Sequence, residues 1–327
     1  MVFVLFIISV IITVYTATKI SQYADAISRL SGFGTLLIGT FLLASATSLP
    51  EVTTSVTAVF LDNPDMAVGN VMGSNLFNLA VLACFDMIYR RRRMLTNVHK
   101  QQRYTALFGI IMTLIISIAL FYTIEIPFIK VGIESVLLIL LYLLSIWVIK
   151  KATNIGKKKV DEEIKETSKK EEKYTLKGAI IGFIICAFVI LLAGVLLTYA
   201  GDQIAIITGI GSSFVGSFLI ATSTSLPEVV TVYTAIKLNN NNLAAASILG
   251  SNLFNLLILC LCDFLYPGSI LQAASTVHIT SSLFLLLSSI LVGFGVYAVN
   301  RKRFYTWPSL IVVIVYALAM ILLYLNG

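Results

Sequence analysis

The pentapeptide Thr-Ser-Leu-Pro-Glu occurs twice, at Thr47–Glu51 and at Thr224–Glu228, each time in the middle of an apolar stretch. A carboxylate near the centre of a bilayer costs about 2.5–3.5 kcal/mol on insertion scales, so it faces a partner, an ion or a water-filled cavity. Pro50 and Pro227 lack a backbone N–H and crowd the preceding turn, freeing carbonyls around residues 46 and 223 for another partner. A bound cation is such a partner. Thr47 lies four residues from Glu51 and Ser48 three, so hydroxyl and carboxylate share one helix face, and Thr224, Ser225 and Glu228 repeat the arrangement. Further along each half, Ser74 and Asn78 are four apart, as are Ser251 and Asn255. Two carboxylates, two amides, hydroxyls and freed carbonyls form an all-oxygen set, which suits hard cations such as Ca2+ and Na+ rather than zinc or copper. Two full negative charges match one divalent ion.

The elements that must position these residues are membrane spans. Of 327 residues, 58% are hydrophobic and 12% charged, which excludes a water-soluble fold and predicts a lipid-embedded chain. Apolar stretches of spanning length recur at roughly 2–20, 31–60, 66–89, 104–123, 127–149, 178–200, 207–236, 243–266, 277–299 and 306–326, ten in all. The first has no small-residue cleavage pattern after it and reads as a retained span, not a removed signal. If each stretch crosses once, the links after spans 1, 3, 5, 7 and 9 with their flanks carry every Lys and Arg of the 23 except Lys130. Positive-inside bias then puts those links in the cytoplasm and both termini outside. The chain's basic balance is thus a matter of topology, and no nucleic-acid partner is expected. The segment 151–177 reads as a solvated cytoplasmic linker rich in both charge signs. Cys84, Cys186, Cys260 and Cys262 lie in apolar segments with neither metal-site nor disulfide spacing, and read as packing residues.

An internal repeat organises the whole chain. Residues 39–61, GTFLLASATSLPEVTTSVTAVFL, align without a gap on 216–238, GSFLIATSTSLPEVVTVYTAIKL, at an offset of 177, and the same offset carries GSNLFNL at 73–79 onto 250–256 and Asp86 onto Asp263. Each half therefore has five spans, and because five is odd the second enters the membrane in the opposite sense. The expected fold is an all-α integral membrane protein of ten transmembrane helices, two inverted five-helix repeats with helices 2 and 7 broken. Its parts are a first repeat over 1–150, the linker 151–177 and a second repeat over 178–327. Gly69 and Gly73, with Ala246 and Gly250 at the matching positions, predict close helix approach that brings the broken helices together.

Both blocks closely resemble the alpha-1 and alpha-2 repeats of the calcium/cation antiporter superfamily, in particular its sodium/calcium exchanger branch and prokaryotic relatives. The match is densest over 39–86 and 216–263, and the ten-span plan extends it to the rest. The resemblance implies Ca2+ ligands at Glu51 and Glu228 with the carbonyls of Thr47 and Thr224, and sodium sites drawing on Ala44, Ser48, Ser74, Ala221, Ser225 and Ser251, with Asn78 and Asn255 at the centre. It also implies a mobile pair, helices 1 and 6, sliding across the core to alternate access. Two departures stand out. The family's usual glycine before the pentapeptide is Ala46 in one half and Ser223 in the other, and sodium-coupled members carry an aspartate where Asn78 or Asn255 stands here.

The resulting expectation is a secondary active antiporter exchanging Ca2+ for Na+ by alternating access in the plasma membrane, not an enzyme, with no prosthetic group and no obligate protein partner. A proton-coupled cycle using the same two glutamates is the alternative, and a passive cation channel a remoter one. No Ser-His-Asp pattern supports a hydrolase. His99 and His278 lie too far from the central glutamates to relay protons to them. Glu134 near the end of the fifth span is expected to reach the interface. Asp86 and Asp263, at helix ends, are candidates for recruiting cations at a vestibule.

Overall fold

The computed structural model describes residues 1–30, 45–90, 94–95, 98–122, 131–154, 174–297 and 307–326. These form helices and short connections: α1 (Val2–Leu30), α2 (Leu49–Phe60), α3 (Pro64–Ile88), α4 (Lys100–Ala119), α5 (Ile133–Asn154), α6 (Leu176–Thr208), α7 (Ser212–Thr224), α8 (Leu226–Lys237), α9 (Asn241–Leu265), the short α10 (Ile270–Ala273), α11 (Val277–Tyr297) and α12 (Trp307–Asn326). Among the described residues eight helices are long and apolar enough to cross a membrane, or nine if the bent pair α7 and α8 is one span. Of the ten expected spans, the second has residues 31–44 outside the described residues, and those include Ala44. The expected linker is likewise outside them over 155–173.

Two helix ends differ from the sequence reading. The first span does not end near residue 20 but continues as α1 to Leu30. The sixth span does not end near residue 200 but runs to Thr208, where Gly209 takes a left-handed conformation, φ 70°, that closes the helix. Gly201, Ile204 and Ala205 inside the extension are buried, Asp202 and Gln203 are half-buried, and Asp202 accepts from Asn63 Nδ2 at 2.8 Å. The seventh element therefore starts at Ser212.

Burial grades the helices from centre to rim. Two-thirds of the apolar windows of α3 and α9 are buried, against 28% for α1 and α5 and 22% for α6. The apolar side chains that α1 and α6 expose, among them Ile7, Ile11, Ile184 and Phe188, form the surface a lipid bilayer would cover. α1 and α6 pack against each other along their length, joined by Ala17, Ile20, Ala24 and Ile190, with Ala46 in the same cluster. α3 and α9 form the centre, flanked by α2, α8, α4 and α11.

The sequence repeat reappears as repeated local structure. α2 and α8 have 12 residues each, α3 and α9 have 25 each, and both pairs start 177 residues apart. The turns between them are also copies: Asp62 and Asn239 are left-handed at φ 54° and 57°, and Asn63 and Asn240 each cap the next helix, accepting from Met66 N at 3.0 Å and Leu243 N at 2.9 Å. A short acidic or amide side chain tolerates the left-handed region better than most, which accounts for Asp and Asn at those positions.

The glycine motif makes a close helix approach, onto α7. A Cβ on Gly73 would stand 2.1 Å from the Ser217 carbonyl oxygen, and one on Gly69 3.0 Å from that of Ser213. Gly216 makes the reciprocal approach, 2.7 Å from the Met66 oxygen. The motif thus seats α3 against α7, where Val215–Ile220 is wound as a π-helix. Around Gly250 a Cβ meets nothing within 4 Å among the described residues.

Candidate cation site

Each pentapeptide stands at an interruption of the helical backbone. Ser48 precedes α2 with φ −86° and ψ 6°, and Ser225 precedes α8 with φ −89° and ψ 4°, the same local geometry twice. Proline in the first turn of the following helix explains both breaks, because the missing N–H leaves the upstream ladder one bond short. At Ser225 the axis bends by 42°. The breaks place Glu51 and Glu228 in the first turn of α2 and α8. That is the end of a helix dipole that favours negative charge.

Both glutamates are fully buried, as are Ser48, Ser74, Asn78, Ala221, Thr224, Ser225, Ser251 and Asn255, with Thr47 at 1%. The carboxylates bond to elements of both halves. Ser225 donates its hydroxyl to Glu51 Oε1 at 2.9 Å, and Ser251 donates to Glu228 Oε1 at 3.4 Å. Thr47 and Ser251 hydroxyls approach to 3.5 Å, and the Thr224 and Thr47 hydroxyls also reach the carboxylates of Glu51 and Glu228. Oε2 of each glutamate has no hydrogen-bond partner, and neither have Ser48 Oγ, Ser74 Oγ, Asn78 Oδ1 and Asn255 Oδ1. Six buried acceptor atoms without a hydrogen-bond partner are thus contributed by one set of helices around the two glutamates. Among the described residues no three His, Cys, Asp or Glu side chains cluster, so the donor set is two carboxylates and neutral oxygens. That set fits a hard cation.

The structure departs from the sequence reading at several residues. The Ala221 carbonyl already accepts from Ser225 N at 3.1 Å and Thr224 Oγ1 at 3.2 Å, which leaves it less free to ligate an ion than the resemblance implies. Asp86 and Asp263 do not line a vestibule. Asp263 is 1% exposed and accepts from Gly132 N (3.0 Å), Ser135 Oγ (2.7 Å) and Ile270 N (2.9 Å); Asp86 accepts from Leu95 N (3.3 Å) and Ser309 Oγ (2.7 Å). Each ties the end of a central helix to the first turn of a helix in the other half, a structural duty that uses up its oxygens. Glu134 is buried rather than at an interface. His278 Nε2 lies 3.2 Å from Asp65 Oδ1.

Three residues of the site were not singled out from the sequence. Asn75 and Asn252 join α3 to α9 through their side-chain amides. Asn70 donates to Thr54 Oγ1 (2.7 Å), Ser55 Oγ (2.8 Å) and the Glu51 carbonyl (3.4 Å), fixing the turn that carries Glu51. For Asn75 and Asn252 the signal was present, since both stand inside the duplicated GSNLFNL.

Residues 1–151 and 178–325 match the model of the family described as sodium/calcium exchanger protein. The chain belongs to that family. Its members are membrane transporters, and the eight or nine apolar helices are those of a multi-pass membrane protein. Inner membrane protein YrbG of Escherichia coli (strain K12) is 26% identical to this exchanger over 81% of the chain and 80% of its own length. Sodium/calcium exchanger MaX1 of Methanosarcina acetivorans is 21% identical over 98% of both. A solved structure of the sodium-calcium exchanger NCX_Mj, soaked with 100 mM Na+ and 10 mM Sr2+, superposes with a TM-score of 0.63 at 20% identity, covering 98% of this chain and 99% of that one. The fold is shared over essentially the whole length.

Proposed function

We propose that this exchanger carries Ca2+ in one direction and Na+ in the other by alternating access at a site centred on Glu51 and Glu228. The observation that carries the reading is the pair of fully buried carboxylates, one from each half, each with one oxygen held by a serine and the other without a partner. In this scheme Glu51 and Glu228, with the carbonyls of Thr47 and Thr224, hold Ca2+. Ser48, Ser74, Ser225 and Ser251, together with Ala44, serve Na+, and Asn78 and Asn255 line the centre. Ca2+ and Na+ are the cargo. They are not resident cofactors.

The reading includes a topology. Ten helices form two inverted five-helix repeats, 1–150 and 178–327, joined by a cytoplasmic linker at 151–177, with helices 2 and 7 broken at the pentapeptides and both termini outside a plasma membrane. Support comes from the 177-residue offset shared by α2 and α8, by α3 and α9, and by the left-handed turns between them. The buried amides at Asn78 and Asn255 keep the formal charge of the site at minus two, which gives the proton-coupled cycle its one specific argument: two glutamates that release Ca2+ can each take a proton.

The deciding experiment is 45Ca2+ uptake into proteoliposomes with the membrane potential clamped. Vesicles are loaded with Na+ or given a proton gradient in separate runs. Uptake driven by the Na+ gradient alone is the expected result. Uptake driven only by protons would replace the counter-ion, and uptake with neither gradient would mean a channel.

A further inference from the structure

Four asparagines, two from each half, form a closed set between α3 and α9. Asn75 Nδ2 donates to the Asn252 backbone carbonyl at 3.1 Å, and Asn252 Nδ2 donates to the Asn75 backbone carbonyl at 3.1 Å. Asn78 Nδ2 donates to Asn252 Oδ1 at 3.0 Å, and Asn255 Nδ2 donates to Asn75 Oδ1 at 3.0 Å. Asn75, Asn78 and Asn255 are buried at 1% exposure or less and Asn252 at 8%.

The donor and acceptor inventory fixes every orientation in the set. A backbone carbonyl only accepts, so the amide end of Asn75 and Asn252 that faces one must be the NH2. Their Oδ1 atoms then point at Asn255 and Asn78, which must answer with their own NH2 groups. The remaining atoms, Asn78 Oδ1 and Asn255 Oδ1, are left buried with no partner. Turning either of those amides over would set two carbonyl oxygens against each other and aim an NH2 at the cation, losing a hydrogen bond and a ligand together.

We infer that Asn75 and Asn252 are positioning residues: they lock the Asn255 and Asn78 amides so that the carbonyl oxygens, and never the NH2 groups, face the transported ion. The inference rests on the proposed site around Glu51 and Glu228 and deepens it. Because each lock lies in the opposite half from the ligand it holds, the orientation of a ligand in one half is set by the other. The set also favours a neutral amide at 78 and 255, since a carboxylate there would turn an oxygen toward the Oδ1 of Asn252 or Asn75.

A double-mutant cycle on the purified full-length protein tests this, reading the Kd for Ca2+ by titration in Na+-free detergent solution and the melting temperature of the ion-free protein. Asn252→Ala is expected to raise the Kd at least tenfold, as Asn78→Ala does, while the double variant binds about as weakly as Asn78→Ala alone. Asn75→Ala and Asn255→Ala are expected to behave in the same way. A merely structural role would lower the melting temperature and weaken binding equally in both backgrounds. Additive effects, or a folded Asn252→Ala with wild-type affinity, would overturn the proposal. Should Asn252→Ala fail to fold, Asn252→Ser still offers the Asn75 carbonyl a hydroxyl but is too short to hold the Asn78 amide; it is expected to show the same non-additive loss, and its absence counts equally against the lock. Absence of Ca2+ binding by the wild type would remove the site reading itself, and this inference with it.

Discussion

Glu51 and Glu228 are chemically alike and yet held differently. Glu51 takes its hydroxyl from Ser225 across the repeat at 2.9 Å, whereas Glu228 takes a longer one, 3.4 Å, from Ser251 in its own half. Replacing either with glutamine keeps the shape and removes half of the site's charge, so Glu51→Gln and Glu228→Gln are each expected to abolish 45Ca2+ uptake while the variants still reach the membrane and melt within a few degrees of the wild type. Retention of uptake by either would remove that glutamate from the ion path. These two residues stood out in the sequence because a carboxylate beside a proline in an apolar stretch, repeated 177 residues on, is costly to place there. Asn75 and Asn252 were harder to single out, because their partners lie 177 positions away and an asparagine reveals its role only when its bonds are seen.

The helices show where pattern reading stops. Gly69 and Gly73 announced a close approach, but spacing alone does not say to what, and the neighbour is the π-helical stretch of α7. Gly73→Ala places a methyl 2.1 Å from a backbone oxygen that cannot rotate away, and overpacking of this kind costs about 1–3 kcal/mol. A lower melting temperature is expected, together with slowed exchange, since α7 leads directly into Ser225. Asp86 and Asp263 were misread for a related reason. A carboxylate at a helix end looks like a solvent-facing group until the helices it caps are in place. Asp263→Asn turns an NH2 toward donors that now have no acceptor, which costs about 1–3 kcal/mol per orphaned group. The expected outcome is a lower melting temperature with uptake per folded molecule preserved; a recruiting role would give the reverse pattern.

At the scale of the whole molecule, length, apolar content and the 177-residue offset were enough to foresee a membrane protein built on a repeat, and the copied turns at Asp62 and Asn239 show the offset carried into backbone geometry. The extension of α6 to Thr208 was not foreseen, since Gly201, Asp202 and Gln203 interrupt the apolar run although the helix continues through them. A site of formal charge minus two exchanges one Ca2+ for two monovalent ions without net current. Solid-supported-membrane recordings on a Ca2+ jump are therefore expected to be flat beyond binding transients, and a sustained Ca2+-dependent current would exclude that stoichiometry. The cross-bonded asparagines carry a further consequence for the two copies of the repeat. Every bond of that set has one end in each half. A substitution at any one of the four removes a bond whose other end lies 174, 177 or 180 residues away, so the fit at the centre depends on both copies of the repeat at once.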